Sequence, residues 1–242
     1  MANLNERMVA LGTQRSIIRE LFEFGKLRAA EIGAENVFDF SIGNPSVPSP
    51  DAVNETAIKL LQESDPVTIH GYTSAQGDAG VRKLLADSVN RRFDTSFGPD
   101  NFYVSVGAAA ALCCCLNGLC NKDDEVIVFA PYFPEYKVFI ENTGGVTVEV
   151  PVRSEDFQPD FEALAGVLNP DTAAVIVNSP NNPTGAVLTE ESLKQLSRQL
   201  EEAQDRFGTE IFLISDEPYR ELVYGGVEVP WIPDFYRNTI VG

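Results

Sequence analysis

From Asn101 to Gly242 the chain alternates short apolar runs with longer segments in which apolar residues recur every three or four positions. The runs "NFYVSVG", "EVIVFAP", "VTVEVPV", "AAVIVNSP", "EIFLISDE" and "NTIVG" predict strands, several of them apolar at successive positions, as in strands buried on both faces. Between them, 108–120, "PEYKVFIENTG", "DFEALAGVL" and 189–207 predict helices. Upstream, the pattern predicts a helix over 15–33, a short strand in "VFDFSIG", and a Pro-rich loop "NPSVPSPD" that ends in a helix cap at Asp51 or just before it. Helices around 52–63 and 77–92 follow. This alternation predicts an α/β fold, a mostly parallel sheet with helices on both faces.

Ligands of such sheets bind beyond the carboxyl ends of the strands, so what each strand delivers there matters most. The run Ile211–Ile214 delivers "SDEPY", placing Asp216 at the end of a buried strand, where a carboxylate needs a partner or takes up a proton. Three residues later comes the phenol of Tyr219. "AVIVN" delivers "SPNNPTG", in which two prolines bracket two asparagines and hold their amides in a stiff turn. "EVIVFAP" delivers Tyr132 and Phe133, a cover for a core edge or a flat wall for a planar ring. "FYVSV" delivers Gly107 and then Ala108, Ala109 and Ala110. That pattern serves either close helix–sheet packing or an anion cup of free backbone N–H groups.

Composition narrows the classes. With 242 residues, 44% hydrophobic, the chain has material for one sizeable core or one domain and part of another. A net charge of −18 argues against nucleic acid and anionic membranes as partners and requires a locally prepared site for any anionic ligand. No basic region followed by an apolar one opens the chain, and "VSVGAAAALCCCLNGLCN" is too broken to span a membrane, so a cytoplasmic protein is expected. Cys113, Cys114 and Cys115 are adjacent, about 100° apart on a helix, and cannot converge on one metal ion; they and Cys120 are expected to be small core residues. His70 is the sole histidine, and "HGY" at a turn reads as structural rather than as the base of a triad.

One rim thus gathers an anion cup, an aromatic wall, rigid amides, a carboxylate and a phenol. In "SIGNP", "GYTSAQGDAGVR", "VGAAAAL", "APYFPEY", "NSPNNPTG" and "SDEPY", in that order, the chain resembles the fold-type-I aminotransferases that use pyridoxal 5′-phosphate, from about Phe38 to its end. The resemblance implies an incomplete cofactor-binding large domain over 46–242, preceded by an N-terminal arm and part of a small domain over 1–45. It implies that Asp216 pairs with the pyridinium nitrogen and that Asn182 and Tyr219 bond the ring's phenolate oxygen. Phe133 would stack on the ring, with Tyr132 beside it, and the amides of Ala108 and Ala109 would hold the phosphate. Tyr72 would reach the phosphate of a neighbouring subunit, implying a homodimer, and the backbone of Gly43 would lie near the substrate.

In one respect the chain departs from the family. The Schiff-base lysine follows a later strand in a Ser-x-x-Lys context, and none of Lys26, Lys59, Lys83, Lys122, Lys137 and Lys194 has it. By the same resemblance, the arginine that receives the substrate's carboxylate would also lie further on. The chain is therefore expected to be a truncated portion that carries most of the cofactor cradle but not its catalytic centre, inactive and poorly soluble alone. The expected reaction is transfer of an amino group from an amino acid to a 2-oxo acid. Alternatives are a C–S lyase or decarboxylase of the same fold, or a non-catalytic effector-binding module of the kind found in some transcriptional regulators.

Overall fold

The computed structural model describes residues 4–13, 17–41, 43 and 47–242, and the chain divides into two compact units, Met1–Tyr72 and Thr73–Gly242. The first unit contains α1 (Glu6–Thr13), α2 (Ile17–Ile32), α3 (Asp51–Glu63) and the single turn α4 (Pro66–Ile69). Asp51 is the first helical residue of α3, where its charge suits the helix dipole, and Pro50 precedes it without a side-chain cap. At α4, Asp65 accepts from the Thr68 N–H at 2.8 Å. Among the residues of this unit whose side chains are described, none is buried, and α2 leaves Leu21, Phe24 and Leu27 exposed.

The second unit is built on one parallel sheet of β1 (Glu125–Ala130), β2 (Val146–Pro151), β3 (Thr172–Asn178), β4 (Phe212–Asp216) and β5 (Thr239–Val241), in the order β2-β1-β3-β4-β5. Helices α5 (Ala79–Phe93), α6 (Ala108–Leu119), α7 (Glu135–Asn142), α8 (Phe161–Val167) and α9 (Glu190–Phe207) belong to the same unit. Strand alternation sorts the core into two layers. Ile127, Phe129, Val175, Val177 and Leu213 pack with Leu164 of α8 and Leu193, Leu196 and Leu200 of α9. Val126, Val128, Ala174, Ile176 and Ile214 pack on the other face with Leu112 and Leu116 of α6 and Tyr136 and Ile140 of α7. Burial on both faces explains why the strands read as continuous apolar runs. The chain leaves β1 in one direction to β2 and later crosses back to β3, so a topological switch point lies between β1 and β3.

Two expected strands are absent. Residues 37–40 of "VFDFSIG" form no ladder, and Phe38 and Phe40 are 82% and 93% exposed; residue 42 lies outside the described residues. In "NFYVSVG" the one long-range backbone bond to a described residue runs from Val104 N–H to the Gln76 carbonyl at 3.0 Å, and Val106 is 95% exposed. An apolar run becomes a strand only beside a neighbour that can pair with it, and no described strand lies beside either segment. The Val104 contact does fix one glycine. A Cβ on Gly77, at φ +94°, would lie 2.6 Å from that of Val104.

The cysteines also depart from expectation. Cys114 is exposed and Cys113, Cys115 and Cys120 are only partly buried, because Leu112 and Leu116 form the stripe that α6 turns to the sheet. Burial pushes the Cys120 thiol up to about 11. Among the described residues, no helix is long and apolar enough to cross a membrane, and no cluster of His, Cys, Asp or Glu could hold a metal ion.

Candidate active site at the carboxyl edge of the sheet

Asp216 ends β4 on the face that carries Ile214, and its register partner is Asn178 at the end of β3. Both polar side chains therefore continue apolar rows directed at α6 and α7. Asn178 ties the two strand ends together. Its Nδ2 donates to the Asp216 carbonyl at 2.8 Å, and its Oδ1 accepts from the Asn182 N–H at 2.6 Å. That second bond, with Asn181 Oδ1 accepting from Thr184 N–H at 3.1 Å, shapes the "NNPTG" turn, where the Ser179–Pro180 and Asn182–Pro183 peptides are cis.

The Asp216 side chain is 5% exposed. Its Oδ2 accepts a hydrogen bond from the Tyr136 hydroxyl, while its Oδ1 is buried with no partner among the described residues. Burial raises the Asp216 carboxyl above its ordinary range, the Tyr136 bond opposes the rise, and Glu217 adds to it. Burial, followed by the charge of Asp216, drives the Tyr136 phenol far up, so it stays a neutral donor. Asn182 Nδ2 donates to Tyr219 Oη at 3.4 Å.

Phe133 stands beside Tyr136, their rings edge to face with centroids 5.7 Å apart. Tyr132 turns the other way, and its hydroxyl donates to Glu149 Oε1 at 2.7 Å. Gly107, at φ +90°, feeds α6 without a side-chain cap, and the first helical bond runs from Ala111 N–H to the Gly107 carbonyl at 3.1 Å. The N–H groups of Ala108, Ala109 and Ala110 thus have no partner within the helix, and alanine side chains leave them approachable.

These groups surround one cavity of about 220 Å³, lined by Ala108, Ala109, Leu112, Phe133, Asn178, Asn182, Asp216, Pro218 and Tyr219. Six of the residues singled out from the sequence, Ala108, Ala109, Phe133, Asn182, Asp216 and Tyr219, meet there. Gly43 and Tyr72 belong to the first unit, where Tyr72 is fully exposed in a shallow groove with Pro66, Val67 and His70. Sequence reasoning missed Asn178 and Tyr136; their positions at a strand end and three residues after Phe133 were the available signals.

The loop after β4 is held by a second feature not foreseen. The Arg220 guanidinium binds Glu217 and donates to the Val229 and Pro230 carbonyls at 2.9 Å each. It also lies over the rings of Phe93 and Trp231, which stack at 4.0 Å. This clamp holds the backbone that carries Tyr219.

Fold and site define an α/β protein with a prepared ligand cavity at its strand ends. The family model for "Aminotransferase class I and II" matches residues 35–237, and the chain belongs to that family. It is 36% identical over 200 residues to an aspartate aminotransferase of Thermotoga maritima, covering 82% of this chain and 50% of the relative. It is likewise 36% identical over 185 residues to an aspartate/prephenate aminotransferase of Thermus thermophilus, covering 76% and 46%. Among solved structures, an amino transferase from Eubacterium rectale superposes with a TM-score of 0.96 at 52% identity, over 100% of this chain and 61% of that one. Thermus thermophilus aspartate aminotransferase with maleate superposes at 0.86 and 31% identity, over 100% and 60%. The chain spans about half the length of the curated relatives it matches.

Proposed function

We propose that the full-length protein is a pyridoxal 5′-phosphate-dependent aminotransferase, moving an amino group from an amino acid to a 2-oxo acid as a homodimer, with the cavity at Asp216 as its cofactor site. The observation that carries this reading is the buried, unpartnered Asp216 Oδ1, an acceptor suited to a protonated ring nitrogen. The rest of the lining fits the same group: free N–H groups at Ala108 and Ala109 for a phosphate, Phe133 for a ring face, Asn182 and Tyr219 for a ring oxygen. When bound, the cofactor supplies an electron sink for the bonds at the substrate's α-carbon. The chain's own residues would orient the ring, with Asp216 facing the ring N–H and Leu112, Phe133 and Pro218 packed around it.

Residues 46–242 are assigned to the large domain and 1–45 to an arm and part of the small domain. On this reading Gly43 would lie near the substrate, and Tyr72 at the phosphate of the neighbouring subunit. Curated relatives are named for aspartate, for aspartate and prephenate, and for arginine with pyruvate, so a panel of aspartate and arginine as donors with prephenate, pyruvate and other 2-oxo acids as acceptors is the appropriate assay. Amino transfer by the full-length protein with at least one pair is the expected result. No transfer with any pair, from protein that has bound the cofactor, would refute the reaction.

A further inference from the structure

The Tyr136 ring is 2% exposed and locked in place. Its N–H donates to the Phe133 carbonyl at 3.0 Å, and Phe133 meets its ring edge to face while Tyr132 lies parallel to it at 6.3 Å. Its hydroxyl is committed to Asp216 Oδ2. The bond spans 80 positions of sequence, from α7 to the end of β4, and the other carboxylate oxygen is buried with no partner among the described residues.

We propose that Tyr136 is a positioning residue for the cofactor: by occupying Oδ2 it fixes the Asp216 carboxylate and leaves Oδ1 alone to receive the ring N–H. This rests on the reading of the cavity as the pyridoxal 5′-phosphate site. A phenol that donates to a carboxylate also lowers the basicity of that carboxylate, since the bond stabilises the ionised form. Between Oδ1 and the ring nitrogen there is one proton. A less basic carboxylate leaves it on the nitrogen, where an electron sink requires it. Tyr136 therefore acts twice through Asp216, once on geometry and once on where the proton rests, without touching the cofactor's reacting carbon.

The test uses full-length protein loaded with pyridoxal 5′-phosphate isotope-labelled at the ring nitrogen, read by nitrogen NMR for protonation and by equilibrium dialysis for Kd. Tyr136→Phe removes one oxygen and keeps the ring. It is expected to weaken cofactor binding about tenfold, the size expected for losing a hydrogen bond to a charged group, and to move the nitrogen signal toward the unprotonated value. Fluorotyrosine at position 136, a stronger donor of the same shape, is expected to move the signal the opposite way, and it decides the matter if Tyr136→Phe does not fold. A nitrogen signal that stays at the wild-type position in both variants, with wild-type Kd, overturns the role of Tyr136 if Asp216→Asn still loses affinity and protonation. If Asp216→Asn also behaves as wild type, the cofactor reading itself falls, and Tyr136 with it.

Discussion

Asp216 Oδ1 is a buried acceptor with no donor among the described residues, an arrangement that costs stability until something donates to it. Its carboxyl has a folded-state pKa raised above the unfolded value, chiefly by burial. For such a group the folded state holds the proton more tightly. The carboxylate therefore destabilises the cofactor-free protein above the raised value, and stability recovers as pH falls through it. Asp216→Asn is expected to raise the melting temperature of the cofactor-free protein near neutral pH, by about 1 kcal/mol or roughly 2–4 °C, and to flatten its dependence on acid. A melting series with and without cofactor measures both; a lower neutral-pH melting temperature for the variant would count against a strained, ligand-ready carboxylate. Arg220 and Glu217 pose the opposite case, a pair only 10% and 6% exposed in which each charge has its partner. Arg220→Ala leaves Glu217 buried and uncompensated and is expected to cost about 3–5 kcal/mol. A chemical denaturation midpoint close to wild type would show the clamp to be dispensable.

Elements were legible where their signal is local. Helix α9 was readable from the spacing of Leu193, Leu196 and Leu200 and from Thr189, whose hydroxyl caps the helix by accepting from Ser192 N–H at 3.1 Å. Strands β1, β3 and β4 were readable because burial on both faces leaves a continuous apolar run. The runs at 37–43 and 101–107 carry the same local signal but lack a pairing partner among the described strands, and pairing is not a local property. The site divides the same way. Asp216, Asn182 and Tyr219 could be placed from motifs at strand ends. Tyr136 and Asn178 act through bonds to Asp216, 80 and 38 positions away; their places after Phe133 and at a strand end are signals that do not name that partner. The entry to α6 is testable at this scale. Gly107 holds φ +90° and ψ 169°, backbone angles that belong almost only to glycine, and no atom lies within 4 Å of an added Cβ. Gly107→Ala is therefore expected to cost about 1–3 kcal/mol through the backbone alone and to weaken binding of a phosphate-bearing ligand by tilting the first turn. Unchanged affinity for pyridoxal 5′-phosphate would detach that turn from the phosphate.

For the whole molecule, the balance of buried and exposed apolar surface is uneven. The sheet unit has two packed layers, while α2 exposes Leu21, Phe24 and Leu27, α3 exposes Val53, Ile58 and Leu61, and α5 exposes Leu84 and Leu85. Exposed apolar surface of this kind drives association. The 242-residue chain alone is expected to self-associate and bind a hydrophobic dye; a monodisperse monomer in light scattering would contradict this. With a net charge of −18, an anionic ligand would have to be held by local donors rather than by the field of the molecule. Under the proposed function the N–H groups of Ala108 and Ala109 would be such donors, and Asp216 Oδ1 the matching acceptor for a cationic ring. The most direct test is a crystal structure of the full-length protein soaked with pyridoxal 5′-phosphate. The expected density places the ring nitrogen within hydrogen-bonding distance of Asp216 Oδ1 and the phosphate on the amides of Ala108 and Ala109. A cofactor bound elsewhere, or seated here with its nitrogen turned from Asp216, would contradict the assignment of this cavity.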